Sequence, residues 1–133
     1  PLPHNIKMYW NCIDDNDSIK TRNELLYNYK NLMEKYITFH EGLSINVLKR
    51  LKMSRIHFSF LDGGHNYEDV NYEIGYLKRR QCVGDIIVFD DYNKIKFPGI
   101  VRAVNQLENE GNYIIDKYRI SDERGYAIAT KVL

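Results

Sequence analysis

The stretch IHFSFLDGGHNYEDV, residues 56–70, has the pattern of a buried strand that ends in an acidic, glycine-containing turn and continues into a helix. The stretch GDIIVFDDYN, residues 84–93, repeats this arrangement with an apolar strand that ends in Asp90 and Asp91. Near-continuous apolar strands are typical of parallel sheets. The carboxyl ends of parallel strands lie on the same edge of a sheet, so the two acidic turns are predicted to lie close together if the two strands are neighbours.

The remainder of the chain alternates between strand and helix patterns. Strands are predicted at 6–14, 36–42, 56–62 and 85–91, and helices at 17–36, from Ser44, from Tyr67 and from Pro98. Two further strand-like runs, 113–120 and 125–133, flank the sequence SDER and predict an antiparallel hairpin. This order predicts an α/β fold, a doubly wound and mostly parallel sheet that carries a C-terminal antiparallel hairpin.

The composition is that of one globular domain. The chain has 133 residues, of which 44% are hydrophobic and 28% charged, and its formal net charge of +1 does not favour a nucleic-acid or membrane partner. No apolar run approaches the roughly 20 residues that span a bilayer, and no signal peptide pattern is present. We therefore expect a cytoplasmic protein. The sequence leaves open whether the chain forms homo-oligomers.

The acidic turns offer three carboxylates at one sheet edge. Like charges that lie close together are unfavourable unless something neutralises them. Mg²⁺ prefers oxygen ligands, so Asp62, Asp90 and Asp91 are candidate metal ligands. Such an ion can hold substrate hydroxyls and lower the pKa of one of them. The alternative for Asp62 is a structural role, in which its side chain caps the following helix or closes a turn.

His65 lies at the mouth of the same edge. Imidazole titrates near neutral pH, so His65 could accept the proton of a hydroxyl group as a general base. The alternative is a turn histidine that faces solvent and has no chemical role.

Three consecutive motifs resemble a known family. FLDGGHNYEDV, GDIIVFDDYN and FPGIVRAVNQL resemble the C-terminal half of class I S-adenosylmethionine-dependent methyltransferases. They are similar in particular to the macrocin-type, metal-dependent sugar O-methyltransferases, where one strand ends in I-D-G-x-H-x-Y and a later one in G-G-x-I-x-x-D-D, followed by P-G-V-x-x-A-V. The resemblance implies that Asp62, Asp90 and Asp91 hold a divalent metal and that His65 is the candidate base.

The same resemblance implies a cofactor and a reaction. S-adenosylmethionine is the implied methyl donor. Asp14, or its neighbour Asp15, matches the acid that binds the ribose hydroxyls of this cofactor, and Gly42 matches the glycine at the end of the third strand in the cofactor site. The implied reaction is transfer of a methyl group to a hydroxyl of a sugar or of another small molecule.

The chain departs from the family pattern in three places. Gly64 and Leu43 stand where the family has acidic residues, and residues 1–5 leave no room for the first strand and its G-x-G-x-G loop. We therefore interpret residues 1–133 as a single methyltransferase-like domain that is a fragment of a longer one. A non-catalytic binding or scaffold domain that has lost the cofactor site is the main alternative. A metal-dependent phosphoryl-transfer domain is another.

Overall fold

The computed structural model describes the backbone of residues 8–12 and all atoms of residues 24 and 26–133. Asp14 and Asp15 lie outside the described residues, so their proposed contact with the cofactor stays a prediction. The chain divides into two units, residues 1–49 and residues 50–133. Within the described part of the chain, no helix is long and apolar enough to cross a membrane.

The first unit contains a pair of parallel strands. Strand β1 (Met8–Cys12) pairs with β2 (Ile37–Glu41) in parallel. Helix α1 (Lys30–Tyr36) leads directly into β2, and helix α2 (Ser44–Arg50) follows it. Between β2 and α2 the backbone of Gly42 has a φ of 128°, a conformation that residues with a Cβ atom rarely adopt. The strand–turn–helix pattern predicted around Gly42 is therefore confirmed.

The second unit is built on a four-stranded sheet in the order β3–β4–β6–β5. Its strands are β3 (Phe58–Leu61), β4 (Ile86–Phe89), β5 (Tyr113–Arg119) and β6 (Gly125–Lys131). Strands β3 and β4 are parallel, whereas β6 is antiparallel to both β4 and β5. The predicted α/β class and its C-terminal antiparallel hairpin are both confirmed, and the hairpin extends the sheet beside β4.

Two helices cover one face of this sheet, namely α3 (Tyr67–Lys78) and α4 (Pro98–Asn109). Six buried apolar residues are those that helical spacing predicts: Val70, Ile74, Leu77, Ile100, Val104 and Leu107. Tyr76 and Ala103 are buried as well, whereas Tyr67, which the same spacing predicts to be apolar-facing, is only partly buried. The facing sheet residues are Ile87, Phe89, Ala127 and Ala129, each at most 1% exposed. This core holds the carboxyl ends of β3 and β4 in fixed positions.

The loop that follows β4 is attached firmly to the terminal hairpin. Asn93 is buried, and its side-chain amide donates a hydrogen bond to the carbonyl of Asp122 at 2.9 Å. The side-chain oxygen of Asn93 accepts hydrogen bonds from the backbone N–H groups of Ile95 and Lys96. The backbone N–H of Phe97 donates to the carbonyl of Asn93 at 2.9 Å. One buried side chain therefore sets the path of the loop from Asn93 to Phe97.

A buried carboxylate anchors the opposite end of β4. Asp85 is 3% exposed, and it accepts hydrogen bonds from Arg55 Nε at 3.0 Å and Arg55 Nη2 at 2.8 Å. The backbone N–H of Cys82 donates to the same carboxylate at 2.6 Å. Chiefly because of the hydrogen bonds from Arg55, the pKa of Asp85 lies below its ordinary value despite the burial of the group.

Replacing Asp85 by asparagine is expected to lower the free energy of unfolding by about 2 kcal/mol near neutral pH, since hydrogen bonds to a charged acceptor are lost. A carboxylate with a depressed pKa contributes stability above its unfolded-state pKa, and this contribution is lost as the pH falls through the folded-state pKa. The difference in unfolding free energy between the wild type and Asp85→Asn should therefore become smaller under acidic conditions. Urea denaturation between neutral and acidic pH measures both effects.

The exposed ion pair between Lys96 and Glu123 supplies the matched control. Glu123→Gln should change the unfolding free energy by less than about 0.5 kcal/mol, because an exposed ion pair contributes little. Equal losses in Asp85→Asn and Glu123→Gln would contradict the anchoring role of Asp85.

Candidate functional site

The two acidic turns lie at one edge of the sheet, as predicted. Strands β3 and β4 are parallel neighbours, and their last residues, Leu61 and Phe89, lie side by side. The backbone N–H of Asp90 donates to the carbonyl of Leu61 at 3.0 Å, which continues the pairing past the end of β4. Asp62 and Asp90 therefore follow directly after the paired ends of two adjacent strands.

Three predicted site residues meet at this edge. Asp62, His65 and Asp91 each offer one ligand atom, and these atoms lie within 4.8 Å of one another. His65 Nε2 lies 3.1 Å from Asp91 Oδ2, at hydrogen-bonding distance. The side chains of His65 and Asp91 are 39% and 26% exposed, so solvent and small molecules can reach them. His65 is thus engaged by a specific partner, unlike a turn histidine that only faces solvent.

Asp90 takes a different position from its neighbour. Its Oδ1 accepts a hydrogen bond from the backbone N–H of Asp91 at 2.9 Å. Asp91 has a φ of 53°, the left-handed conformation that costs a non-glycine residue roughly 1–2 kcal/mol. The Asp90 side chain therefore holds the turn in which the Asp91 carboxylate reaches His65. Asp90 is not one of the three residues whose ligand atoms meet.

The charge environment of Asp62 fits a cation site. Partial burial raises the pKa of the Asp62 carboxyl above its ordinary value, and the nearby Asp90 and Asp91 carboxylates raise it further. His65 and Arg124 act in the opposite direction. A divalent cation among these oxygens would remove the repulsion between the carboxylates.

The helix-capping alternative for Asp62 is wrong, because a different residue caps helix α3. Asn66 occupies the N-cap position, and its side-chain oxygen accepts a hydrogen bond from the backbone N–H of Asp69 at 2.8 Å. The Asn66 amide donates in return to Asp69 Oδ2. A Cβ atom on Gly64 would lie 3.0 Å from both Cβ and Oδ2 of Asp69. This cap accounts for a glycine at position 64, where the family that the sequence resembles has an acidic residue.

Two residues of the site were missed by the sequence reasoning. The ring of Phe97 stacks on the His65 imidazole, with centroids 4.3 Å apart and planes inclined by 25°. At Gly99 an added Cβ would lie 2.6 Å from the His65 carbonyl oxygen and 2.7 Å from the Tyr67 nitrogen. In the sequence, the motif FPG indicates a helix start and part of a family motif, and a glycine just inside a helix is also a signal of close packing.

The residues predicted to bind the cofactor are described only in part. Gly42 belongs to the first unit and lies at the carboxyl end of β2. Its φ of 128° by itself accounts for a glycine at this position. The predicted role of Gly42 in cofactor binding therefore stays a prediction.

Comparison with known proteins shows which family contains this arrangement of residues. A family model described as a methyltransferase domain matches residues 6–92, which is more than half of the chain. The chain belongs to the methyltransferase-domain family. The matched region of this methyltransferase domain contains Asp62, His65, Asp90 and Asp91, and it ends before Phe97 and Gly99.

Solved O-methyltransferase structures share the fold of this methyltransferase domain. The O-methyltransferase TomG from Streptomyces achromogenes, in complex with SAM, superimposes with a TM-score of 0.74 at 11% identity. An O-methyltransferase from Bacillus cereus in complex with SAH gives a TM-score of 0.72 at 11% identity. The O-methyltransferase NovP gives 0.66 at 16% identity. At these identities the likeness shows the fold alone.

The methyltransferase domain corresponds to only part of those proteins. The match to TomG covers 96% of this domain and 62% of TomG. For the Bacillus cereus enzyme the two shares are 94% and 63%, and for NovP they are 96% and 60%. No curated protein sequence matches it significantly.

Proposed function

We propose that this methyltransferase domain is part of an S-adenosylmethionine-dependent O-methyltransferase of the macrocin type. The enzyme would methylate a hydroxyl of a sugar or of another small molecule with the help of a metal. The observation that carries the proposal is the convergence of Asp62, His65 and Asp91 within 4.8 Å at one sheet edge. Family membership and the shared fold of O-methyltransferases support the reaction type.

His65 is proposed as the general base. The Asp91 carboxylate can only accept a hydrogen bond, so a neutral His65 donates its Nε2–H to Asp91 Oδ2. The lone pair of His65 then lies on Nδ1, which is the atom that would take the proton of the acceptor hydroxyl. Proton removal raises the nucleophilicity of that oxygen as the methyl group arrives.

Asp62, Asp90 and Asp91 are proposed to hold Mg²⁺. Hard oxygen ligands suit this ion. Burial is the main cause of the raised pKa of Asp62, and the repulsion from Asp90 and Asp91, which raises this pKa further, is what a cation would relieve. When bound, Mg²⁺ would orient the acceptor hydroxyls and lower the pKa of the reacting one. Each carboxylate keeps a free oxygen for this purpose, since Asp90 and Asp91 use only one oxygen in the hydrogen bonds described above.

Asp14 or Asp15, together with Gly42, is proposed to bind S-adenosylmethionine. The half-exposed strand end at Gly42, where no side chain projects, fits close approach of a cofactor to the backbone. The cofactor supplies a methyl group on a positively charged sulfur. When bound, the cofactor would supply this methyl group to the acceptor oxygen while its sulfur keeps the electron pair of the S–C bond, and His65 Nδ1 would take the hydroxyl proton. Binding and orientation supply most of the catalysis in such a transfer.

Calorimetric titration of the complete polypeptide that contains these residues tests the proposal. S-adenosylhomocysteine should bind with a dissociation constant on the order of micromolar, about −8 kcal/mol. Mg²⁺ should bind to the wild type and about tenfold or more weakly to Asp62→Asn, because even changes to the surroundings of metal ligands have effects of that size. Cofactor affinity should be the same in both proteins.

Asp116→Asn serves as the control, since Asp116 is an exposed acid on β5. It should bind Mg²⁺ as the wild type does. Absence of S-adenosylhomocysteine binding would reject the enzyme and favour a non-catalytic domain. Equal Mg²⁺ affinity in wild type and Asp62→Asn would reject the metal-ligand assignment alone.

A further inference from the structure

His65 is held on two sides by residues of one segment. Asp91 bonds to its Nε2 at 3.1 Å, and Phe97 stacks on its ring face at a centroid distance of 4.3 Å. Both partners belong to the connection between β4 and α4. The turn that carries His65 precedes helix α3, so the two contacts link separate parts of the second unit.

The two contacts restrain different motions of the imidazole. A single hydrogen bond fixes where Nε2 lies but leaves the ring free to rotate about the line that joins Nε2 to its acceptor. An aromatic stack with planes inclined by 25° fixes the plane of the ring. Only the two contacts together determine where Nδ1 points.

The position of Phe97 is set by the fold without help from a ligand. Its backbone N–H is bonded to Asn93, whose buried side chain fastens the loop to Asp122 in the terminal hairpin. The carbonyl of Phe97 accepts the N–H of Val101 in the first turn of α4. The stack on His65 is therefore preorganised, which is what a positioning role requires.

We propose that Phe97 is a positioning residue that, with Asp91, locks His65 in one orientation and one tautomer, with Nδ1 unprotonated and directed at the acceptor hydroxyl. The proposal rests on the proposed function insofar as it concerns methyl transfer. The orientation and tautomer of His65 can be measured without it.

The test compares Phe97→Leu with Phe97→Tyr by NMR and by kinetics. In the wild type and in Phe97→Tyr, the ring protons of His65 should resonate upfield because they face an aromatic ring, and the nitrogen shifts should report a single Nε2–H tautomer. In Phe97→Leu, which keeps the apolar bulk but lacks the ring, the upfield shift should disappear and both tautomers should be populated. The kcat of methyl transfer should fall by about three- to tenfold with KM nearly unchanged, and Phe97→Tyr should restore it.

Tyr118 provides the matched control, because it stacks on Tyr126 in the terminal hairpin at 4.8 Å. Tyr118→Leu should leave the His65 signals and kcat unchanged. The proposal is overturned if His65 in the wild type shows no upfield shift, or if Phe97→Leu changes neither the tautomer ratio nor kcat. It is also overturned if kcat falls equally in Phe97→Tyr. If the wild type itself transfers no methyl group, the proposed function fails, and the NMR criteria alone decide whether Phe97 positions His65.

Discussion

His65→Ala is expected to lower the kcat of methyl transfer by about 100- to 10,000-fold, the usual contribution of a general base. The reason is the proposed arrangement: Nε2 of His65 lies 3.1 Å from Asp91 Oδ2, and if it donates to this carboxylate, Nδ1 is the basic atom at an exposed edge. Alanine removes that atom, and among the residues that the structure describes no other histidine is within the cluster that Asp62 and Asp91 form with His65. Formation of S-adenosylhomocysteine in the presence of hydroxylated sugars and phenols measures the rate.

His57→Ala is the control for this experiment, because His57 is exposed and precedes β3 at the end of the strand opposite the site. The kcat of His57→Ala should match that of the wild type. Added imidazole should partly restore the activity of His65→Ala, since a small base can occupy the space that the ring leaves. A fall in kcat of less than about tenfold in His65→Ala would show that His65 is not the base.

The place of the acidic edge could be predicted from the sequence because it depends on topology. Two apolar strands separated by one helix must be parallel, and parallel neighbours bring their carboxyl ends to one edge. This placed Asp62 on the same edge as Asp90 and Asp91, and the register of Leu61 beside Phe89 shows that the two strands are neighbours, the condition for the acids to lie close together. The helix faces and the terminal hairpin followed in the same way from apolar periodicity.

The arrangement of side chains at that edge could not be predicted, because it depends on backbone details that periodicity does not encode. Which of the adjacent acids reaches His65 is decided by the left-handed φ of 53° at Asp91, a conformation that aspartate adopts only occasionally. The stack of Phe97 on His65 depends on a loop held by the buried Asn93 side chain. Neither feature has a spacing that sequence reasoning could detect.

Gly99→Ala is expected to lower the free energy of unfolding by about 2–3 kcal/mol, although alanine is ordinarily the better residue in a helix. A Cβ at this position would lie 2.6 Å from the His65 oxygen, 2.7 Å from the Tyr67 nitrogen and 2.9 Å from the Asn66 carbonyl carbon. All three are backbone atoms, so no side chain can rotate away, and either α4 or the turn that carries His65 must move. Urea denaturation measures the loss of stability, and the His65 ring-proton shifts report the movement of the turn.

Gly75→Ala tests the same substitution where the structure leaves room. Gly75 lies within α3, and among the described residues a Cβ there would meet only the flexible end of Arg79 at 3.7 Å. This variant should gain about 0.5–1 kcal/mol, since alanine is favoured over glycine inside a helix. The two substitutions should therefore change stability in opposite directions, with the His65 signals displaced only in Gly99→Ala. If Gly99→Ala were as stable as Gly75→Ala, the close approach of α4 to the His65 turn would not exist in solution. The position of His65 would then depend on Asp91 and Phe97 alone.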